Sequence, residues 1–489
     1  MGSGTKGLTG RHVAELERIV GARGVRTDAT ARSAYESDAF MLQHATAEVI
    51  VLPRTTAEAA AAVKVLRDAG LVVVPRGAGT GLSGGARPVE NGAILGTARM
   101  REVLEVNAED RYARVQAGVV NVHLTAACAD AGLFYAPDPS SQTACTIGGN
   151  VGNNSGGPHG FKYGSTNRHV LGLTMVDSEG EVVELGGPAP RPGDGLDLLG
   201  PVIGSEGMLG LVTEVTVQLL PKPEKVETLL CLFESLDACC DAVSEMIARR
   251  LEPSAIEILD RLTIEAVEAS VLRAGYPDNA EAVMLVEVEG GDEEVEATSA
   301  DVIEVARSWG AFDTRPTTYR GERTRLWAGR KGAFGAMGRI APDLYVADVV
   351  APRTRLREIV SAATVACRER NLKLANVFHA GDGNLHPNIS YDRRDADEVR
   401  RVLEAGRIIM EACVEAGGSL TGEHGIGLEK QDEMCLVFTD DDLAAMDQLR
   451  AAFDPSGFWN PGKMLPVRGC REVHTRPLAN SDGPTGGGL

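Results

Sequence analysis

His379 and His386 bracket the dipeptide Asp382-Gly383 within Ala375-Asn-Val-Phe-His-Ala-Gly-Asp-Gly-Asn-Leu-His-Pro-Asn-Ile389. An Asp-Gly pair flanked by apolar residues, here Phe378, Leu385 and Ile389, predicts a two-residue hairpin turn. With residues 382 and 383 at its centre, His379 falls opposite His386 and Val377 opposite Asn388. Directly opposed side chains leave a sheet on one face with Cβ atoms about 4.5–5.5 Å apart, so two imidazoles there can share one metal ion. A pair of surface histidines is the alternative, and a second segment weighs against it. Thr421-Gly-Glu-His-Gly425 sets a carboxylate beside a third histidine, between glycines that permit close backbone approach. His379, His386 and Glu423 then form a two-histidine, one-carboxylate set with open coordination positions, suited to zinc, manganese or iron.

Two glycine-rich stretches carry a different chemistry. In Pro75-Arg-Gly-Ala-Gly-Thr-Gly-Leu-Ser-Gly-Gly85, five of eleven residues are glycine. Gly79-Thr-Gly-Leu-Ser-Gly84 satisfies the dinucleotide fingerprint, but that fingerprint should open a helix. Here Gly84-Gly85-Ala-Arg-Pro88 and Asn91-Gly92 are loop material leading to another strand. Successive glycines can still turn their N–H groups into one concavity, and Arg76 adds a fixed positive charge, which suits a pyrophosphate. A mobile surface loop is the alternative. The second stretch runs from Pro137-Asp-Pro-Ser-Ser141 through Thr146-Ile-Gly-Gly-Asn-Val-Gly-Asn-Asn-Ser-Gly-Gly157 to Lys162-Tyr-Gly164. Two such loops can grip a long, dianionic cofactor.

The elements that must position these groups follow from periodicity. Val13, Leu16, Ile19 and Val20 mark a helical lead within residues 1–45. A strand over 48–52, a helix opened by Thr55-Thr-Ala-Glu58 and ended at Gly70, and a strand over 71–74 give a strand–helix–strand opening. Further strands are expected at 92–95, 113–116, 172–176, 182–185 and 211–219. Pro221-Lys-Pro-Glu224 reads as an interdomain joint. A long helix is expected at about 395–415, and the glycine- and proline-rich end after residue 466 reads as disordered.

Composition narrows the function. With 49 basic and 69 acidic side chains the net charge is −20, which excludes nonspecific tracking of a phosphate backbone, so no nucleic acid partner is expected. No run approaches the roughly 20 apolar residues needed to span a bilayer, and the start lacks a signal-peptide pattern. A cytoplasmic location is expected, with peripheral membrane attachment through a partner as the alternative. The nine cysteines are scattered without a CxxC pair and are expected to be reduced thiols. Any iron–sulfur relay must therefore sit on another chain.

PRGAGTGLSGG, DPSSQTACTIGGNVGNNSGGPHGFKYG and Ile203-Gly-Ser-Glu-Gly-Met-Leu-Gly-Leu-Val-Thr-Glu214 resemble, in order and spacing, the FAD domain of the vanillyl-alcohol oxidase (p-cresol methylhydroxylase-type) flavoprotein superfamily. The later motifs HxGDGNLH and GEHGIG are similar to those of the branch containing the glycolate oxidase flavin subunit and D-lactate dehydrogenases. The resemblance implies an α+β protein: a two-subdomain FAD-binding domain (46–222) after the helical lead, and an α+β cap domain with an antiparallel sheet (223–425) that carries substrate and metal. Residues 426–466 would return to the FAD domain, leaving 467–489 as the tail. It also implies that Arg76, Gly77, Ala78, Gly79, Thr80, Gly81, Leu82 and Ser83 bind the FAD pyrophosphate. Pro139, Ser140, Gly148, Gly149, Asn153, Gly156, Gly157, Tyr163, Gly164, Glu206 and Gly207 would line the rest of the cofactor. Asn460 would contact the flavin or cap a turn. The first loop lacks a histidine, so FAD should be noncovalent, with His159 the one other attachment point to weigh.

By the same resemblance His379, His386 and Glu423 bind a divalent metal, His424 is the acid/base, and Asn388 and Arg330 contact substrate. Relatives specific for 2-hydroxyglutarate carry a lysine near Tyr345-Val-Ala-Asp348 that is missing here. That favours a small D-2-hydroxy acid, glycolate or D-lactate, over a D-2-hydroxyglutarate dehydrogenase-like activity. Electrons would leave to a separate acceptor: a quinone, a cytochrome, oxygen or an iron–sulfur partner subunit. Two other classes stay open. A metal-dependent hydrolase could use the same three ligands to activate water and would be colourless. A non-enzymatic nucleotide-binding subunit would tolerate Glu423→Gln.

Overall fold

Thr55 begins the first regular unit by accepting the Glu58 N–H at 3.1 Å on its hydroxyl, which caps the helix Thr56–Asp68. Ala59, Ala62, Val63 and Leu66 recur at helical spacing and are buried against the strands Val49–Val51, Val73–Arg76 and Ala93–Gly96. These three strands are parallel with Ala93–Gly96 central, and Val25–Arg26 joins the edge antiparallel. The lead helix Gly10–Val20 sends Leu16 and Val20 into the same core. Each such fully buried aliphatic side chain contributes about 1.5–3 kcal/mol. Val73–Arg76 then feeds the first glycine loop directly, with no helix following it. The structure, a computed structural model, describes residues 7–188, 195–467 and 470. Apart from residues 467 and 470, the tail expected to be disordered lies outside them.

A second sheet of five antiparallel strands runs in the order Val103–Asn107, Tyr112–Gln116, Leu211–Gln218, Val170–Val176, Val182–Gly186. The second glycine stretch is inserted between two of these strands. It contains a short helix, Ile147–Asn153, capped by Thr146, whose Ile147 and Val151 pack on the sheet. Thr-x-x-Gly offers only one weak capping signal, and a glycine-rich helix has little intrinsic propensity; burial of these two apolar residues supplies what propensity lacks.

The third sheet is antiparallel, with nine strands assigned to it. It runs Ala311–Thr317, Lys225–Phe233, Ala282–Gly290, Ala255–Asp260, Lys373–His379, Asn384–Leu385, Val349–Val350, with Pro387–Tyr391 and Asp343–Val346 pairing beside this path. Alternation along its strands separates two faces. Leu229, Cys231, Ile256, Ile258, Met284 and Val286 pack under the helices Leu236–Ala248, Asp292–Ser308, Leu356–Glu369 and Ala396–Glu415. Leu230, Leu232, Leu259, Leu285 and Val377 face the helices Arg261–Glu268 and Arg320–Ala336. Glu257, Glu287 and His379 belong by parity to this second face, and it is from here that the site is built.

The chain's last described stretch turns back to the first sheet. Phe458–Asn460 runs beside Val73, which donates to the Phe458 carbonyl and accepts from the Asn460 N–H, both at 2.8 Å. One expectation fails nearby. Cys435 and Cys470 form a disulfide, whereas all nine cysteines read as reduced thiols. Scattered spacing carries no pairing information about a contact between Cys470 and the turn Asp432–Leu436. The other seven are free and buried.

Candidate active site

The hairpin closes differently from the two-residue expectation. Residues 380–383 form a four-residue turn, so His379 pairs with Asn384 and Ala375 with Asn388. Only Gly383 of the central pair takes positive φ, +82°; Asp382 instead accepts the Asn384 N–H on its carboxylate at 3.1 Å. The register is thus offset by two residues. Side chains alternate with a period of two, so such an offset leaves every one on its expected face. His379 and His386 become diagonal neighbours, with ring centroids 5.1 Å apart and planes at 87°. Asn388 shares their face, is buried, and donates to the His386 carbonyl at 2.5 Å.

Glu423 meets both imidazoles. Its Oε1 lies 3.2 Å from His379 Nε2 and 3.3 Å from His386 Nε2. Ligand atoms of His379, His386 and Glu423 all fall within 4.8 Å of one another. Gly156 leaves room for the carboxylate, since a Cβ there would lie 3.1 Å from Glu423 Oε2. His424 stacks on His386, with ring centroids 5.0 Å apart and planes at 6°. Burial lowers its imidazole to about 4, and its buried Nδ1 has no hydrogen-bond partner.

The loop that carries Glu423 and His424 is pinned from two sides. From the third sheet, the fully buried Asp348 carboxylate accepts the Thr421 hydroxyl at 2.5 Å, the Gly422 N–H at 3.0 Å and the His424 N–H at 3.1 Å. The equally buried Lys430 ammonium lies 3.3 Å from it. Burial alone would raise the Asp348 carboxyl, but the nearby His424, Lys430 and His386 hold it well below the usual range. From the other side, Ser83 and Asn153 each donate to the His424 carbonyl at 2.9 Å, and Glu206 accepts the Ile426 and Gly427 N–H groups at 2.7 and 2.8 Å. The glycine loops therefore hold the Glu423–His424 loop directly.

A cation fits the first cluster. Burial alone would lower the His379 pKa, but the carboxylates of Glu257 and Glu423 outweigh it and raise it to about 10. Two carboxylates beside this ring favour a positive charge, which a proton or a divalent ion could supply. Asp348, His386 and His424 also converge. Asp348 has already committed its oxygens to several donors and the Lys430 ammonium, so that group is the poorer ligand set.

A cavity of about 640 Å³ joins this cluster to both glycine loops. Gly77, Ala78, Gly79, Thr80, Gly81, Leu82 and Ser83 line it together with Pro139, Ser140, Gly149, Asn153, Arg330, His386, Asn388, Glu423 and His424. A smaller cleft of about 90 Å³ shares Gly77, Gly149 and Asn153 and continues to Arg76, Gly148, Glu206 and Gly207. A long dinucleotide fits this cradle. A Cβ on Gly77 would strike Thr146 Oγ1 at 2.6 Å, and the buried Asn150 amide nitrogen on the wall has no partner.

Five expected cofactor residues line neither cavity: Gly156, Gly157, Tyr163, Gly164 and Asn460. The Tyr163 hydroxyl donates to Glu289, and its ring stands edge-on to Phe134. Gly157 takes φ +147° where a Cβ would meet the Asp138 carbonyl at 2.6 Å, and a Cβ on Gly164, at φ +78°, would meet Arg168. The Asn460 amide bridges the Gly85 and Glu206 carbonyls at 2.9 and 2.7 Å. Glycine content reports backbone freedom, not which surface the backbone presents. Arg76 likewise turns back onto the Ala86 carbonyl at 3.0 Å and over the Tyr35 ring.

His159 is spoken for. Its ring nitrogens lie 2.9 Å from Asp138 and 3.1 Å from Glu287, and it lines neither cavity. Lys331 and Arg323 complete this ion cluster between the second glycine stretch and the third sheet. Burial would lower the His159 pKa, but Asp138 and Glu287 raise it to about 10. A raised pKa stabilises the fold fully below the unfolded value of about 6.5 and loses that contribution as pH climbs toward 10. The unfolding midpoint of His159→Gln should therefore lie well below that of the parent at pH 6, and the gap should narrow by pH 10. A gap that does not change with pH contradicts the paired imidazolium.

Two buried carboxylates escaped the sequence reading, Glu257 and Asp348. Glu257 is the one charged residue inside Ala255–Leu259, and Asp348 interrupts the apolar Tyr345–Val350. A lone acid in an otherwise apolar run was the available signal.

Comparison with known proteins gives the family and the fold. Residues 47–186 match the family model for an FAD binding domain, and residues 222–464 match that for the C-terminal domain of FAD linked oxidases. The glycolate oxidase subunit GlcD of Escherichia coli (strain K12) is 45% identical over 88% of this chain and 86% of its own. A D-lactate dehydrogenase of Anaerostipes hadrus is 32% identical over 85% of this chain and 89% of its own. The crystal structure of p-cresol methylhydroxylase with substrate bound superposes with a TM-score of 0.79 at 15% identity, covering 94% of this chain and 98% of that one. That last likeness is one of fold.

Proposed function

The chain belongs to the FAD-linked oxidases, with the two-domain FAD-binding fold of the vanillyl-alcohol oxidase type, and on that premise we propose that it oxidises a small D-2-hydroxy acid to the 2-oxo acid. Glycolate and D-lactate are the candidate substrates. The observation that carries the reading is one cavity lined at once by the glycine loops and by His386, Asn388, Glu423, His424 and Arg330. A metal-dependent hydrolase has no use for a dinucleotide cradle opening onto its ligands.

FAD, bound noncovalently, would accept the hydride from the substrate α-carbon, and a divalent zinc, manganese or iron ion would acidify and orient the α-hydroxyl. His379, His386 and Glu423 would hold the ion. His424 takes the hydroxyl proton: its burial keeps the ring neutral at pH 7, and Asp348 and His386 fix its backbone and plane. Arg330, on the cavity wall, pairs with the substrate carboxylate, and Asn388 stands on the same wall. The segment Tyr345–Asp348 itself carries no lysine, which favours a monocarboxylate over a dicarboxylate. The reduced flavin would pass its electrons to a separate acceptor, a quinone, a cytochrome or an iron–sulfur partner subunit. The seven free cysteines are all buried and none belongs to a metal-ligating cluster among the described residues. No helix among the described residues is long and apolar enough to cross a membrane.

The test is optical. Purified protein should be yellow, and anaerobic D-lactate or glycolate should bleach it within the mixing experiment. A yellow protein bleached by no 2-hydroxy acid rejects the substrate class, and a colourless one that cannot take up FAD rejects the cofactor.

A further inference from the structure

Strand register places Glu257 directly beside His379 on the face covered by the helix Arg320–Ala336. Its side chain is wholly buried and is not itself part of the cavity wall. Its two oxygens are divided between two residues of the site. Oε1 lies 2.7 Å from His379 Nδ1, and Oε2 accepts the Arg330 Nε–H at 2.5 Å. We infer that Glu257 is a positioning residue that sets the metal ligand His379 and the substrate-binding Arg330 together, so that cation affinity and carboxylate recognition depend on one buried side chain. The inference rests on the reading of His379 and Arg330 given above.

The physical basis is the direction of each proton. Arg330 NH2 also approaches His379 Nδ1, at 3.3 Å. Guanidinium only donates, and an Nδ1 that carries hydrogen cannot accept. The shorter contact to a carboxylate places the proton on Nδ1, pointing at Glu257. With Nδ1 committed to Glu257, a cation that displaces the Nε2 proton would meet the Nε2 lone pair facing Glu423 and His386. The same carboxylate neutralises Arg330, which is 4% exposed, and fixes the rotation of its fork.

Replacement by glutamine reverses this polarity at nearly constant volume. The new amide oxygen must accept from Arg330 Nε, which leaves its NH2 group facing His379 Nδ1. An N–H donor there drives the imidazole proton to Nε2 and blocks the ligand atom.

The experiment compares parent, Glu257→Gln and Glu257→Asp, each as metal-stripped flavoprotein titrated with Mn2+, followed by D-lactate kinetics at saturating Mn2+. In Glu257→Gln the Mn2+ dissociation constant should rise about 10–100-fold, as for other residues that orient a ligand histidine. KM for D-lactate should rise as well, while FAD content and the flavin spectrum stay unchanged. Glu257→Asp keeps the acceptor and the charge and should recover part of both losses, which a filler of space would not. Folded Glu257→Gln with Mn2+ affinity and KM within about twofold of the parent overturns the inference. His379→Ala separates the two readings: if it too leaves Mn2+ binding intact, the metal site itself is wrong. Should Glu257→Gln not fold, anomalous diffraction from Mn2+-loaded parent protein decides. Mn2+ on His379 Nε2 with Glu257 still on Nδ1 supports the assignment, and Mn2+ lodged between Nδ1 and Glu257 refutes it.

Discussion

Glu423→Gln is expected to slow flavin reduction by D-lactate or glycolate about a thousandfold or more, a loss of roughly 4 kcal/mol in transition-state stabilisation, while FAD remains bound. The carboxylate lies 3.2 and 3.3 Å from the Nε2 atoms of His379 and His386 and is the only anion of the three proposed ligands. An amide of the same shape keeps the contact with Gly156 and with it the cavity wall. It removes the charge that would bind a cation and places a donor where an acceptor stood. His386→Ala should give the same pairing of effects. Stopped-flow bleaching and metal analysis on one preparation check this. Normal bleaching, or loss of FAD along with metal, would contradict the separation of ligand cluster from cofactor cradle.

The second large effect is on stability. Asp348→Ala strips the counter-charge from Lys430, whose side chain is fully buried, and frees the Thr421 hydroxyl and the Gly422 and His424 N–H groups. Leaving one member of a buried ion pair alone costs about 3–5 kcal/mol. The unfolding midpoint should fall accordingly, and activity should fall with it because Glu423 and His424 ride on the released loop. Asp348→Ala combined with Lys430→Met should regain much of the stability, since the uncompensated charge is gone. It should not regain activity, because the backbone donors of the loop still lack their acceptor. Denaturant unfolding and flavin reduction of both variants distinguish the charge from the scaffold. If the double variant recovers both, Asp348 does not position the loop.

That His379 and His386 share one face was legible because its signal is local. An Asp-Gly turn with histidines on one parity survives a register offset of two, and only an odd offset would have separated them. The hairpin's true turn was not legible: Asp382 spends its carboxylate on the Asn384 N–H and keeps negative φ, a choice made by local hydrogen bonding that residue type does not dictate. The glycine loops announced a cradle, but not that Tyr163 and Asn460 would serve the scaffold behind it. Glu257 and Asp348 stayed hidden because their partners, Arg330 and His379 for one and residues 421–430 for the other, come from distant parts of the chain. The Cys435–Cys470 bond was missed for the same reason. Distance along the sequence is what periodicity and turn chemistry cannot bridge.

That one cation, held by His379, His386 and Glu423 beside bound FAD, makes the cavity a 2-hydroxy acid oxidation site is the proposal on which the other expectations rest. It is tested most directly by stripping the yellow protein with a chelator, removing the chelator, and following anaerobic bleaching by D-lactate and glycolate before and after Mn2+ or Zn2+ is restored. Bleaching should disappear on stripping and return with the ion, with FAD bound throughout. Bleaching at the full rate in metal-free protein would contradict it.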